Sequence, residues 1–205
     1  KSFHADQFDY ETMSEDLKNF LDEKKIQKVS LIGHSMGGKT IMNFILNYPS
    51  YANKVIVVDI LPKAYNNDYE KIFNAFSKMD LNNLKSRKQI DEYFSGFFSD
   101  YTFVSFLSKN INRDSNGNFK IKFNLNSIRS NISKITSAIK IDRVFNEDIL
   151  FMKGEYSNYI DNQGLFEAKK SFPKLSLVTI ENSSHWIHYE NQKKFLLETL
   201  NYLRT

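Results

Sequence analysis

The chain contains no cysteine. This excludes disulfide bridges, thiolate nucleophiles and cysteine-ligated zinc, and it fits the cytoplasmic location expected here. No apolar run reaches the roughly 18 residues that a membrane-spanning helix requires, and no secretory leader is visible. Net charge is only +4, with basic and acidic residues interleaved along the chain. A nucleic-acid partner is therefore not expected, because tracking a phosphate backbone needs a dense basic face. With three prolines and seven glycines in 205 residues, there is no low-complexity linker, and no internal repeat is visible. The chain opens on lysine, so its natural start is expected upstream. What the sequence has in quantity is aromatic residues, 18 Phe and 11 Tyr. These can fill a core and line an apolar pocket in one globular domain carrying an inserted segment.

The chain is organised around Val29-Ser30-Leu31-Ile32-Gly33-His34-Ser35-Met36-Gly37-Gly38. A β-prone apolar run ends in Gly-His-Ser-Met-Gly, and a helical pattern follows from Lys39 until Pro49 stops it. This is the strand–turn–helix setting of a nucleophile elbow. Ser35 sits at the tip of a turn so tight that side chains two residues away would meet backbone, so glycines are expected on both flanks. The helix that starts after Ser35 aims free N–H groups at the site, which makes the Met36 N–H a candidate oxyanion donor.

An irregular lead-in containing Phe3, Phe8 and Tyr10 precedes a helix capped by Thr12 or Ser14. That helix carries Met13, Leu17, Phe20 and Leu21 on one face. Lys54–Ile60 is a near-continuous β-branched run and reads as a strand buried on both faces, as in a parallel sheet covered by helices. Residues 63–146 change character and are rich in Asn, Lys, Ser and Phe. Helices are expected near 67–79, 86–98, 100–109 and 125–138, with a turn at 114–118 leading into the alternating Phe119–Phe123. This segment has no sheet-core strand and reads as a helical lid, leaving residues 1–62 and 147–205 as the core. Its phenylalanines, Phe73, Phe76, Phe94, Phe97, Phe98, Phe103 and Phe106, are expected to be mostly core. Further strands are expected at Asp148–Lys153 and Leu175–Ile180, with helices at Leu165–Phe172 and near 191–204. Strands alternating with helices argue for an α/β fold with a mostly parallel sheet. Sites in such sheets form at the carboxyl ends of strands. Ser35, Asp59, the Gly154–Ser157 loop and His185 all follow such ends.

At this point the chain resembles the α/β-hydrolase superfamily, and within it the YbfF-type acyl esterases and their abhydrolase relatives. The residues that carry the resemblance are Gly33-His34-Ser35-Met36-Gly37-Gly38-Lys39, Val57-Val58-Asp59-Ile60-Leu61-Pro62, Gly117-Asn118-Phe119 and His185-Trp186-Ile187-His188-Tyr189-Glu190. The resemblance implies a triad in the order Ser, Asp, His, with Ser35 as nucleophile and His185 as base. It also implies roughly 50–60 further N-terminal residues that hold the first sheet strands and a second oxyanion donor, so the strand at Val29–Ile32 is expected to expose an edge. The superfamily's usual acid lies in a Gly-x-x-Asp pattern, but here the pattern reads Gly154-Glu155-Tyr156-Ser157. Asp59 is the expected substitute, with Asp161 and Glu155 as alternatives. His34, Lys39 and Trp186 are the candidate substrate-contacting residues. His34 is read as a support behind the elbow, with Lys39 alternatively a helix-surface lysine. His188 is expected to pack locally, and His4 carries no signal.

The implied activity is hydrolysis of a small-molecule carboxylic ester or acyl thioester through an acyl-enzyme, with no metal or organic cofactor. Two alternatives stay open. One is carbon–carbon or lactone cleavage on the same scaffold. The other is a non-catalytic binding protein that keeps the fold.

Overall fold

The computed structural model describes residues 6–66 and 68–205; Phe3 and His4 of the lead-in, and Asn67, the expected start of a helix, lie outside them. Asp9 caps the first helix, α1 (Tyr10–Glu23), by accepting the Thr12 N–H at 2.9 Å. The expected cap at Thr12 or Ser14 is thus corrected. Ser14 lies inside the helix, where its hydroxyl donates to the Tyr10 carbonyl at 2.7 Å.

Then come β1 (Val29–His34), α2 (Met36–Asn47), a single 3-10 turn at Pro49–Tyr51 and β2 (Ala52–Val58). Next are three helices, α3 (Glu70–Ser77), α4 (Arg87–Ser95) and α5 (Tyr101–Ser108), and a short hairpin, β3 (Ile111–Arg113) with β4 (Phe119–Ile121). The chain continues through α6 (Leu125–Thr136), β5 (Ile149–Gly154), α7 (Asn162–Ala168), β6 (Leu175–Ile180), α8 (Ile187–Glu190) and α9 (Gln192–Arg204). Among the described residues no helix is long and apolar enough to cross a membrane.

Four strands form one sheet in the order β1-β2-β5-β6, every neighbouring pair parallel. The uninterrupted apolar reading of β2 and β5 follows from burial on both faces. Val55, Val57, Ile149 and Phe151 face a core built with Ile41, Phe44 and Ile45 of α2 and with Phe172. The alternating residues Ile56, Val58, Leu150 and Met152 face a second cluster with Ile180 and Ile187, against which Phe195 and Leu203 of α9 pack. β1 forms one edge of this sheet, and its Ile32 side chain is about half exposed.

The chain divides into two compact units. The sheet unit comprises residues 9–65 and 134–205. It extends beyond 1–62 and 147–205 because the Tyr65 N–H donates to the Thr136 carbonyl at 2.8 Å and the Ile139 N–H to the Pro62 carbonyl at 3.0 Å. The other unit holds residues 6–8 and 66–133. It has its own core of Phe76, Ile90, Phe94, Val104, Leu107 and Ile111. Phe76 meets Phe94 and Phe123 edge to face at 5.0 and 5.2 Å, the preferred geometry for two aromatic quadrupoles. Its hairpin turn is the one expected at 114–118, with the Asp114 carboxylate accepting the Asn116 and Asn118 N–H groups.

Candidate active site

β1 ends at His34, and the chain turns on Ser35 with φ 54° and ψ −118°. A non-glycine residue with this φ is strained by about 1–3 kcal/mol and persists only where its surroundings fix it. Here the Ser35 N–H donates to the Val58 carbonyl at 3.0 Å, and the Ser35 carbonyl accepts the Lys39 N–H at 3.1 Å as the first turn of α2 closes. A Cβ at Gly33 would come within 2.4 Å of the Gly37 carbonyl oxygen, whereas a Cβ at Gly37 would meet nothing within 4 Å. On the downstream flank the steric need falls on Gly38 instead, where a Cβ would come within 2.5 Å of Ile60 Cγ2 and 3.0 Å of the Gly33 carbonyl oxygen. Met36 opens α2, so its N–H is one of the four at a helix start without an intrahelical acceptor.

Asp59 repeats the arrangement one strand over. It follows the end of β2 with φ 51°, and its N–H donates to the Met152 carbonyl at 2.8 Å. Its side chain is fully buried. Three donors compensate the carboxylate: the Gly154 N–H on Oδ1 at 3.1 Å, and the Ser157 hydroxyl and His185 Nδ1 on Oδ2, the latter at 2.8 Å. A buried carboxylate is tolerated only with such a shell. Because an ionised carboxylate only accepts, the contact puts the proton on Nδ1 and leaves Nε2 as the basic nitrogen of His185. Among the described residues neither the Ser35 hydroxyl nor His185 Nε2 makes a hydrogen bond. Catalytic contacts of this kind often tighten only with substrate bound.

His185 is delivered by the loop after β6. This loop turns at Asn182 with φ 50°, and the Ser183 hydroxyl ties it back to the Ile180 carbonyl at 2.7 Å. Ser184 donates its N–H and its hydroxyl to the Glu190 carboxylate. His34 Nε2 lies 2.7 Å from the His185 carbonyl oxygen, so it donates there. Burial, with His185 nearby, pushes the His34 imidazole down to about 4, so it is neutral near pH 7. The ring of Trp186 lies edge-on to His185 at 5.8 Å. His188 is exposed; its ring packs against His34 at 4.8 Å and Phe195 at 6.2 Å, and partial burial lowers its pKa.

The structure brings His185 to Asp59 and to neither alternative acid. Asp161 caps α7 through the Gly164 N–H and pairs with Lys63, which holds its carboxyl below the usual range. Glu155 accepts the Asn182 N–H at 2.8 Å.

The reading of Lys39 as a helix-surface lysine is corrected. It is 2% exposed and so not a surface lysine. Its ammonium donates to the Ser137 carbonyl between the rings of Tyr10 and Tyr65, each 5.2 Å away, and burial pushes it down to about 8. The sequence reading passed over Tyr159, whose ring lies against His185; only the aromatic character of the 156–159 loop hinted at it. Among the described residues no cluster of His, Asp and Glu is placed to hold a metal ion.

Two strained residues at neighbouring strand ends, one bearing a hydroxyl and one a carboxylate bonded to histidine, agree with a comparison by family. The alpha/beta hydrolase fold profile matches residues 1–192. The chain belongs to the α/β-hydrolase fold family. Among solved structures, this chain resembles a marine microorganism esterase, with a TM-score of 0.94 and 38% identity, covering 98% of this chain and 80% of that one. The sn-1-specific diacylglycerol lipase ABHD11 of Danio rerio is 28% identical over 210 residues, which is 100% of this chain and 66% of that protein. Esterase YbfF of Escherichia coli strain K12 is 27% identical over 195 residues, 95% of this chain and 74% of that protein. The chain thus spans about two thirds of the length of the curated relatives it matches.

Proposed function

We propose that this α/β hydrolase cleaves carboxylic esters or acyl thioesters through a covalent acyl-serine. The observation that carries the reading is the 2.8 Å contact from His185 Nδ1 to the buried Asp59 carboxylate. A histidine held in one tautomer by a buried acid is what a free hydroxyl needs to become a nucleophile at neutral pH. The relatives' names, esterase and diacylglycerol lipase, belong to the same bond class.

In this mechanism Ser35 Oγ attacks the acyl carbonyl while His185 Nε2 takes its proton. Asp59 keeps its charge and stabilises the imidazolium. The oxyanion of the tetrahedral intermediate accepts the Met36 N–H. Collapse expels the alcohol or thiol, protonated by His185, and leaves the acyl group on Ser35. Water, deprotonated by His185, then releases the acid and restores the serine. His34 and Trp186 flank the base and are assigned to supporting its loop and the substrate side of the site.

The test is hydrolysis of p-nitrophenyl esters from acetate to long acyl chains, alongside labelling by a fluorophosphonate probe. Ser35→Ala is expected to abolish turnover and labelling. Asp59→Asn is expected to lower kcat by about 10³–10⁴, and Asp161→Asn to leave it near wild type. Residual turnover in pure Ser35→Ala would overturn the reading, and the reverse ranking of the two aspartates would move the acid to the later loop. Labelling without ester turnover would favour the lactone or carbon–carbon chemistry, and neither would favour a binding protein.

A further inference from the structure

Tyr159 lies flat against His185, with ring centroids 4.0 Å apart and planes inclined by 19°. The other rings near His185 are set differently: His34 is tilted at 43° and Trp186 stands at 69°. The plane of Tyr159 is itself fixed from several sides. Its N–H donates to the Ser157 hydroxyl oxygen at 3.2 Å, and that hydroxyl donates to Asp59. Its carbonyl accepts the Tyr65 hydroxyl at 2.8 Å, and the Tyr65 oxygen accepts the Leu61 N–H at 2.8 Å. The Tyr65 ring packs on it at 5.2 Å. One loop therefore carries both a hydrogen bond to the acid and a ring under the histidine.

A single hydrogen bond at Nδ1 leaves an imidazole free to swing about that contact, and a fixed ring against its face removes the freedom. The stack also discriminates between protonation states. Neutral aromatic rings prefer offset or edge-on contacts, whereas a cation is attracted to the π face. A close parallel stack thus favours the imidazolium over the neutral ring. The imidazolium exists only after His185 has taken a proton, so the stabilisation falls on the transition state and not on the resting site.

We propose that Tyr159 is the positioning residue for the base. It holds the imidazole plane in which Nδ1 meets Asp59 and favours the cation that forms during acyl transfer. This rests on the reading of His185 as a general base. Besides Tyr159 itself, the titratable groups facing His185 are Asp59 after β2, His34 at the end of β1 and His188 in α8. Of these, Asp59 is the carboxylate in direct contact and His34 is neutral through the working range. The ring face of Tyr159 then acts as a second, uncharged support for the cation.

The experiment uses the full chain with three replacements at this position. Tyr159→Leu removes the ring, Tyr159→Phe keeps its face, and pentafluorophenylalanine in place of Tyr159 keeps the shape while reversing the quadrupole. Readouts are kcat and KM for a p-nitrophenyl ester, the pH dependence of kcat/KM, and an NMR titration of the His185 imidazole, which needs no turnover. Tyr159→Leu is expected to lower kcat about tenfold with KM little changed. Its acidic limb and NMR midpoint should fall by roughly half a pH unit. The fluorinated ring should lower both in the same direction without unfolding the site, and Tyr159→Phe should restore them. A wild-type midpoint in the fluorinated protein overturns the proposal, as does a Tyr159→Phe defect as deep as that of Tyr159→Leu. If the wild-type chain hydrolyses no ester, the hydrolase reading fails, and the NMR titration still decides whether Tyr159 sets the ionisation of His185.

Discussion

Lys39 is a cation placed where water cannot reach it. Desolvation disfavours its charged form, and the Ser137 carbonyl and two tyrosine faces offset only part of that cost. The ammonium titrates near 10.5 when free and near 8 in the folded chain. Between those values the unfolded state binds more protons, so this residue's contribution to stability rises with pH; below 8 both states are protonated and the burden is at its largest. The expected outcome is a gap in unfolding free energy between wild type and Lys39→Met that moves in favour of wild type from pH 7 to pH 10. Urea melts across that range check it, and a constant gap would place the ionisation elsewhere. The burial of Lys39 was not legible in the sequence because its acceptor, Ser137, is 98 positions away. Tyr159 was hidden for the same reason, since a ring-on-ring contact leaves no local pattern. Asp59 was legible as one of three acids after strand ends. Spacing could not choose among Asp59, Glu155 and Asp161; in the structure His185 Nδ1 lies 2.8 Å from Asp59, while Glu155 and Asp161 bond elsewhere.

At the level of strands and loops, the site is a set of interrupted ladders. Ser35, Asp59 and Asn182 each sit just past a strand end with φ near 50°. The N–H groups of Ser35, Asp59 and Glu155 each bond to a carbonyl of the next strand, those of Val58, Met152 and Ile180. Hydrogen bonding across the sheet thus continues one step beyond the strands and fixes the turns that carry the side chains. Gly154 is the tightest point. A Cβ there would lie 2.0 Å from the Ser184 carbonyl oxygen, backbone that cannot yield without moving His185 beside it. Gly154→Ala is therefore expected to cost about 1–3 kcal/mol of stability and to lower kcat disproportionately. Thermal melts and kinetics on one preparation check this, and a variant with both at wild-type levels would refute it. The elements themselves were readable because buried parallel strands show as unbroken β-branched runs and the elbow as glycine around serine. Their ends were not. β2 stops at Val58, short of Ile60, because Asp59 turns out of the ladder, and α7 begins at Asn162 because Asp161 caps it.

Among the described residues the sheet unit is packed on both faces of its sheet, and a separate core surrounds Phe76, Phe94 and Ile111. Separate cores open as separate cooperative units when few contacts are shared. Phe94 is fully buried in the second, so Phe94→Ala is expected to cost that unit about 3–5 kcal/mol. Hydrogen exchange should show protection falling in α4 and α5 while the amides of β5 stay protected. Equal loss in β5 would mean that the two cores melt as one.

Where the chain returns to the sheet unit at the end of α6, the carbonyls of Ile135, Thr136 and Ser137 are taken in turn by the Tyr10 hydroxyl, the Tyr65 N–H and the Lys39 ammonium. The outgoing strand of polypeptide at Tyr65 and the incoming one at Thr136 are thus stapled side by side within the sheet unit. The sheet unit therefore receives both ends of the 66–133 segment at neighbouring backbone positions of its own. An insertion at this point need only begin and end at positions one hydrogen bond apart, whatever its length.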